Sequence, residues 1–198
     1  MNKLLSYRLI LASQSPRRRE LLQDAGIRFD ILPADADETE IPGEPAKQMV
    51  ERLALAKAEK IALAHPAAWV LAADTTVVVD EKILGKPLDH IDAARMLGLI
   101  QGREHEVWGG ISLINNQSGF SKTETHCTKV KMRKLSSAEI KAYIETGEPM
   151  DKAGSYAIQG VGASLVESVN GSYTNVVGLN LSATLALLRL AGILTDGK

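Results

Sequence analysis

The chain has 198 residues, a formal net charge of −1, 45% hydrophobic and 24% charged residues, an ordinary globular balance that argues against wholesale disorder. No global basic field exists to hold a long nucleic-acid backbone, so any anion site must be local. The single cysteine, Cys127, excludes an intramolecular disulfide, and no run approaches the roughly 20 apolar residues that span a bilayer. The opening MNKLLSYRLILASQS has too short an apolar stretch for a signal peptide, so a reducing cytoplasm is the expected location. One domain over residues 1–198, split at most into two lobes about a cleft, is expected from the length.

In chain order, Arg8 to Ala12 is a short apolar run that suits a buried strand delivering a loop at its carboxyl end. Ser15 then offers an N-cap, Pro16 fits the first helical position, and Gly26 can close the helix. Arg28 to Leu32 reads as a second strand, followed by an acidic connection with Asp35, Asp37, Glu38 and Glu40. From Pro45 to Ala64, Met49, Val50, Leu53, Ala56, the stem of Lys60 and Ile61 recur at helical spacing. Trp69 to Ala73 and Thr76 to Val79 form an apolar stretch interrupted at Asp74-Thr75.

Asp89 to Gly102 reads as another helix, and Glu104 to Ile114 with Ser121 to Met132 as two strands of a hairpin around residues 115–119. Ser136 and Glu139 make a capping box for a helix that runs to Gly147. Glycine-rich loops, a strand near Ala163 to Val169 and a final helix from about Leu181 to Leu194 complete the chain. Helices interspersed with strands and hairpins imply a mixed α/β sheet with helices packed on it. Neither G-x-x-x-x-G-K-S/T nor G-x-G-x-x-G opens a helix, so any phosphate site is of another kind.

Four stretches could carry chemistry. Ser13-Gln14-Ser15-Pro16-Arg17-Arg18-Arg19 places hydroxyls, free backbone N–H groups and guanidinium groups at one helix N-terminus, where anions are favoured. A capped surface helix with solvated arginines is the alternative, although cations in a first turn oppose the helix dipole and call for a compensating anion. Asp74-Thr75, with Lys82 and Lys86 soon after, offers a carboxylate for metal binding or proton transfer beside cations for phosphate; a strand-end aspartate capping a turn fits equally well.

Asp37 and Glu38 could supply oxygen ligands to Mg²⁺ or simply be solvated. In the segment 148–162, small residues let backbone approach a ligand and Gln159 can present both a donor and an acceptor to a base edge; a plain structural loop is the alternative. His65, His90, His105 and His126 lack zinc-ligand spacing.

Taken together, LASQSPRRRELL at 11–22, ADTTVVVDEKILGKP at 73–87, TGEPMDKAGSYAIQGVG at 146–162 and NGSYTNVVGL at 170–179 resemble the Maf family of nucleotide pyrophosphatases. The resemblance implies an α/β fold with an elongated mixed sheet flanked by helices, similar to the inosine triphosphate pyrophosphatases, and two lobes with the active site in a central cleft. It also implies homodimers. By position, Asp74 would be the catalytic base, Glu38 and Asp74 would hold a divalent cation such as Mg²⁺ or Mn²⁺, and Ser13, Arg17, Arg18, Lys57 and Lys86 would contact phosphates.

The form DKAGSYAIQG resembles the branch acting on dTTP and UTP rather than the one acting on 7-methyl-GTP, with Arg17, Thr75 and Gln159 at positions associated with base choice. Two departures stand out. Asn180 occupies a position where the family usually has proline, and Gly109-Gly110 sits where a threonine is common. The activity implied is metal-assisted attack of water at the α-phosphorus, giving the monophosphate and pyrophosphate. The rival is a non-catalytic, nucleotide-sensing regulator of cell division, which would have no need of paired carboxylates beside phosphate. An RNA-binding module fits poorly with net charge −1 and 4% aromatic residues.

Overall fold

The computed structural model describes residues 7–39 and 41–194, so Glu40 of the acidic connection lies outside the described residues. Strand alternation sorts the first core. β1 (Leu9–Leu11) runs parallel to both β2 (Asp30–Ile31) and β3 (Trp69–Val79) and sits between them. Because successive side chains point to opposite faces, Leu9, Leu11 and Leu71 pack on one side against Leu22, Leu187 and Leu188. Ile10, Val70 and Ala72 pack on the other against Ala58, Ile61 and Ala62. The first side is covered by α1 (Pro16–Asp24) and α6 (Leu181–Leu190), the second by α2 (Ala46–Ala64).

The expected strand at 28–32 shrinks to two residues, both exposed at the sheet edge. The inward stripe of α2 also differs from the expected one: Val50, Leu53, Ala54, Lys57, Ala58, Ile61 and Ala62 are buried, whereas Lys60 is exposed and Ala56 half-buried. An internal lysine hides the true 3.6-residue period from an inspection that follows apolar residues alone.

β3 is one uninterrupted strand of 11 residues, so Asp74 lies in mid-strand, paired in register with Gly110, and not at a strand end. Ladder hydrogen bonds are backbone bonds, and a polar pair of side chains does not break them. What changes at Asp74-Thr75 is the core being served. Beyond this point Val77 and Val79 join a separate cluster with Ala93, Leu97, Ile100 and Ile144. That second lobe contains β4 (Lys82–Leu84), α3 (His90–Ile100) and α4 (Ser137–Glu145). β4 had no Asn-Gly or Asp-Gly signal; its turn is made by Asp80 and Glu81, with φ of 49° and 61°.

β5 (Glu104–Asn115) and β6 (Phe120–Met132) form the expected hairpin and unite the lobes, and β7 (Val166–Asn170) pairs with the end of β6. Among the described residues the sheet runs β2-β1-β3-β5-β6-β7, with β4 paired to β3. Residue Ala163, expected in the last strand, instead belongs to a 3₁₀ turn at Gly160–Leu165. A short helix, α5 (Tyr173–Val177), follows β7.

Both departures from the family pattern have a packing reason. A Cβ on Gly110 would lie 2.2 Å from the carbonyl oxygen of Val50, and one on Gly109 would lie 2.1 Å from Oδ1 of Asn175. The two glycines therefore let α2 and α5 approach opposite faces of β5. Asn180 caps α6, its side chain accepting from the backbone N–H of Ala183 at 3.2 Å, a role asparagine fills well.

Candidate active site

A cleft of about 850 Å³ opens between the lobes, over the middle of β3. Its first wall begins at the N-terminus of α1, where Ser15 accepts from the N–H of Arg18 and Pro16 occupies the first turn. Arg18 is fixed by three bonds: Nε donates to the carbonyl of Gly178 at 2.8 Å, and its terminal nitrogens donate to Ser13 Oγ and Thr75 Oγ1, both at 3.2 Å. Thr75 in turn donates to the Gly178 carbonyl at 3.2 Å. Arg17 donates to the Val177 carbonyl at 3.2 Å. Burial pulls the guanidinium of Arg18 below its usual value; the charges of Asp74 and Glu38 oppose this and Arg17 adds to it.

The floor is a charged triad drawn from three elements. Lys57 of α2 places Nζ 2.7 Å from Asp74 Oδ1 of β3 and 2.7 Å from Glu38 Oε1 of the acidic connection. Lys57 and Asp74 are 7% and 8% exposed, whereas Glu38 is exposed. The close approach of α2 to Gly110, the register partner of Asp74, brings the lysine within reach. The other oxygen of Asp74, Oδ2, makes no hydrogen bond among the described residues. Two carboxylates already converge on one cationic centre, the donor set expected where a hard cation is to be shared with phosphate oxygens.

The second wall carries Lys86, Asp151, Lys152, Ala153 and Tyr156. Lys86 is exposed and has no ion-pair partner among the described residues. Asp151 stands 3.5 Å from Arg17 across the cleft and 2.6 Å from Lys152. Burial would raise the carboxyl of Asp151, but the hydrogen bond from Lys152 and the charges of Lys152 and Arg17 outweigh it and hold the group below the usual range. Tyr156 is buried, with its hydroxyl 2.7 Å from Nε2 of His105.

The structure thus gathers Ser13, Arg17, Arg18, Glu38, Lys57, Asp74, Thr75 and Lys86 about one cleft. Gln159 is not brought there: it is exposed, at the start of the 3₁₀ turn 160–165, outside the cleft lining. Asp37 also turns away, accepting from the N–H of Thr39 at 2.9 Å. Sequence reasoning passed over the carbonyls of Val177 and Gly178, which hold both arginines. The available signal was the Val-Gly at the end of a helix-sized motif, since Gly178 has φ 137° and leaves a carbonyl free at a helix end.

A family model described as "Maf-like protein" matches residues 8–191. The chain belongs to the Maf-like family. Among Maf-like relatives, it is 51% identical over 185 residues to a protein of Myxococcus xanthus named dTTP/UTP pyrophosphatase, covering 93% of each chain. It is 47% identical to a protein of the same name from Gloeobacter violaceus, covering 93% of this chain and 96% of that one. Among solved structures, it is similar to the Ham1 protein of Staphylococcus aureus at 14% identity and a TM-score of 0.41, over 63% of this chain and 71% of that one. The expected family and the mixed α/β sheet flanked by helices are borne out.

Proposed function

We propose that this Maf-like chain hydrolyses dTTP and UTP to the nucleoside monophosphate and pyrophosphate in the cleft between its lobes. The names of its relatives support the substrate class. The observation that carries the reading to this site is Lys57, held 2.7 Å from both Glu38 and Asp74 beside the arginine-bearing N-terminus of α1.

A triphosphate carries several negative charges, which must be offset before water can approach phosphorus. Arg18, pinned by three bonds, together with Arg17, Ser13, Lys57 and Lys86, would hold the phosphates. Asp74 is the base: its free oxygen takes the proton as the water oxygen bonds to the α-phosphorus, and the bond from that phosphorus to the bridging oxygen breaks to release pyrophosphate. General base help of this kind contributes about 10²–10⁴-fold. Mg²⁺ or Mn²⁺, which Glu38 and Asp74 fit as ligands, would supply Lewis acidity and neutralise phosphate charge.

Thr75 orients Arg18 through its hydroxyl. The same reading takes residues 1–198 as one domain, working as a cytoplasmic homodimer on nucleotide rather than nucleic acid, with the family resemblance as support. Among the described residues no helix is long and apolar enough to cross a membrane.

The test is pyrophosphate release from dTTP, UTP, CTP, GTP and 7-methyl-GTP with Mg²⁺ or Mn²⁺, expected to be fastest for dTTP and UTP. A preference for either guanine nucleotide would overturn the base assignment while leaving the chemistry. Tight binding without release would overturn catalysis and favour the nucleotide-sensing regulator.

A further inference from the structure

A carboxylate in a cleft that receives a polyanion weakens the attraction for phosphate; Lys152 and Arg17 offset the charge of Asp151, and what is left to explain is its acceptor capacity. Its own surroundings narrow the choice. Lys152 directs Nζ to the carbonyl of Glu148 at 2.7 Å and to Asp151 Oδ1 at 2.6 Å, and an ammonium has three donors, so one remains for a ligand. Asp151 Oδ2 has only the long 3.5 Å approach of Arg17. The wall therefore shows an acceptor and a donor side by side.

These groups stand on a stiff platform. The Glu148 carboxylate accepts from Tyr143 Oη at 2.8 Å and from the N–H groups of Val161 and Gly162 at 2.9 and 2.8 Å. Gly154, at φ 70°, fits so close to Val77 that a Cβ would lie 2.9 Å from it. With the phosphates at α1, Arg18 and Lys57, and Lys86 reaching them from the second wall, the base would be left to face the rest of that wall, where Asp151 and Lys152 lie. There the Tyr156 hydroxyl is already engaged by His105, while Gln159 lies outside the lining.

We infer that Asp151 and Lys152 read the imide edge of the pyrimidine, Asp151 accepting from N3–H and Lys152 donating to an adjacent carbonyl; the inference rests on the nucleotide reading given above. Uracil and thymine share this donor and acceptor pair. Cytosine presents an acceptor at N3 and a donor at its amino group, so with the phosphates anchored it sets acceptor against carboxylate and donor against ammonium. An acceptor and a donor fixed side by side favour the matched edge and repel the reversed one. Guanine carries an N–H and carbonyl of the same kind, so the pair acts on cytosine in particular.

The test uses the full chain and two readouts: kcat/KM for UTP and CTP, and calorimetric binding of the α,β-methylene analogues of both. Asp151→Asn removes the fixed acceptor, since an amide can turn either end to the base. The UTP:CTP ratio is expected to fall at least tenfold in both readouts, mainly through loss on UTP, with the thermal midpoint unchanged; Asp151→Ser should do the same and serves if the amide variant folds poorly. Equal change for both nucleotides in the Asp151 variants would overturn the inference, leaving a role towards phosphate, ribose or metal. A ratio that collapses in Gln159→Leu but survives in Asp151→Asn would also overturn it and pass base reading to Gln159. Wild-type protein that binds the two analogues equally, or neither, overturns it as well. Wild-type protein that binds the uridine analogue selectively yet releases no pyrophosphate defeats the hydrolase reading alone.

Discussion

On the first wall and floor of the cleft, Lys57 and Asp74 are 7% and 8% exposed and Arg18 is held by three hydrogen bonds. On the second wall, Lys86 stands exposed without an ion-pair partner among the described residues, and Asp151 is exposed too. Charges fixed in a water-poor setting act on a developing charge without reorganising, which favours the reacting end of a substrate. Solvated charges at the rim act more on capture and on selection than on the chemical step. On the function proposed above, the difference would put chemistry on the wall of α1, α2 and β3 and capture and recognition on the wall that faces it.

Asp74→Asn bears hardest on this division. It keeps the shape of the side chain but loses the proposed base, so turnover is expected to drop by about 10²–10⁴-fold or more while nucleotide affinity stays within about tenfold. Steady-state kinetics beside calorimetry read both; near wild-type turnover would strip the first wall of its chemical role.

Lys57→Met strands a buried carboxylate. Loss of one partner of a buried pair costs about 3–5 kcal/mol, so urea unfolding should show a deficit of that order. Adding Asp74→Asn to the same chain should restore part of it. Strictly additive losses would mean that the pair, 2.7 Å apart, is not coupled.

The second lobe has a buried polar contact of a different kind. Burial pushes the His105 imidazole down to about 4, against about 6.5 in the unfolded chain. Between these values the unfolded chain binds more protons than the folded one, so stability rises with pH across the window and is lost as pH falls from about 6.5 towards 4. The expected loss is on the order of 3 kcal/mol, and His105→Gln should flatten that limb in unfolding curves at pH 4.5 and 7. An unchanged acid limb would place the acid sensitivity elsewhere.

Lys86→Ala should have the smallest effect, raising KM about tenfold, or about 1.4 kcal/mol, with the melting temperature unchanged. A loss in kcat that matches Asp74→Asn would instead make the second wall part of the chemistry.

Much of this was legible in particular residues. Ser15 and Pro16 announced α1, Ser136 with Glu139 announced α4, and the apolar run from Arg8 to Ala12 announced a buried strand, because caps and apolar runs are written within a few residues of where they act. Asp74 stood out as a polar break in an apolar run, although its place in mid-strand was hidden. Arg17 and Arg18 stood out at a helix N-terminus and Lys86 soon after Asp74, whereas Lys57 came through the family resemblance alone, since in helix periodicity a lysine reads as solvent-facing.

What the sequence determined by itself is the set of local elements, the family and the chemical types present, since each rests on neighbours in the chain or on long ordered motifs. The tertiary structure alone decided which of those groups meet. Lys57 reaches Asp74 because Gly110 lets α2 settle on β5, and Arg18 is aimed by a carbonyl 160 residues away. It also put Asp151 rather than Gln159 on the cleft lining. Such contacts depend on the packing of distant elements, and no local pattern encodes the distance between them.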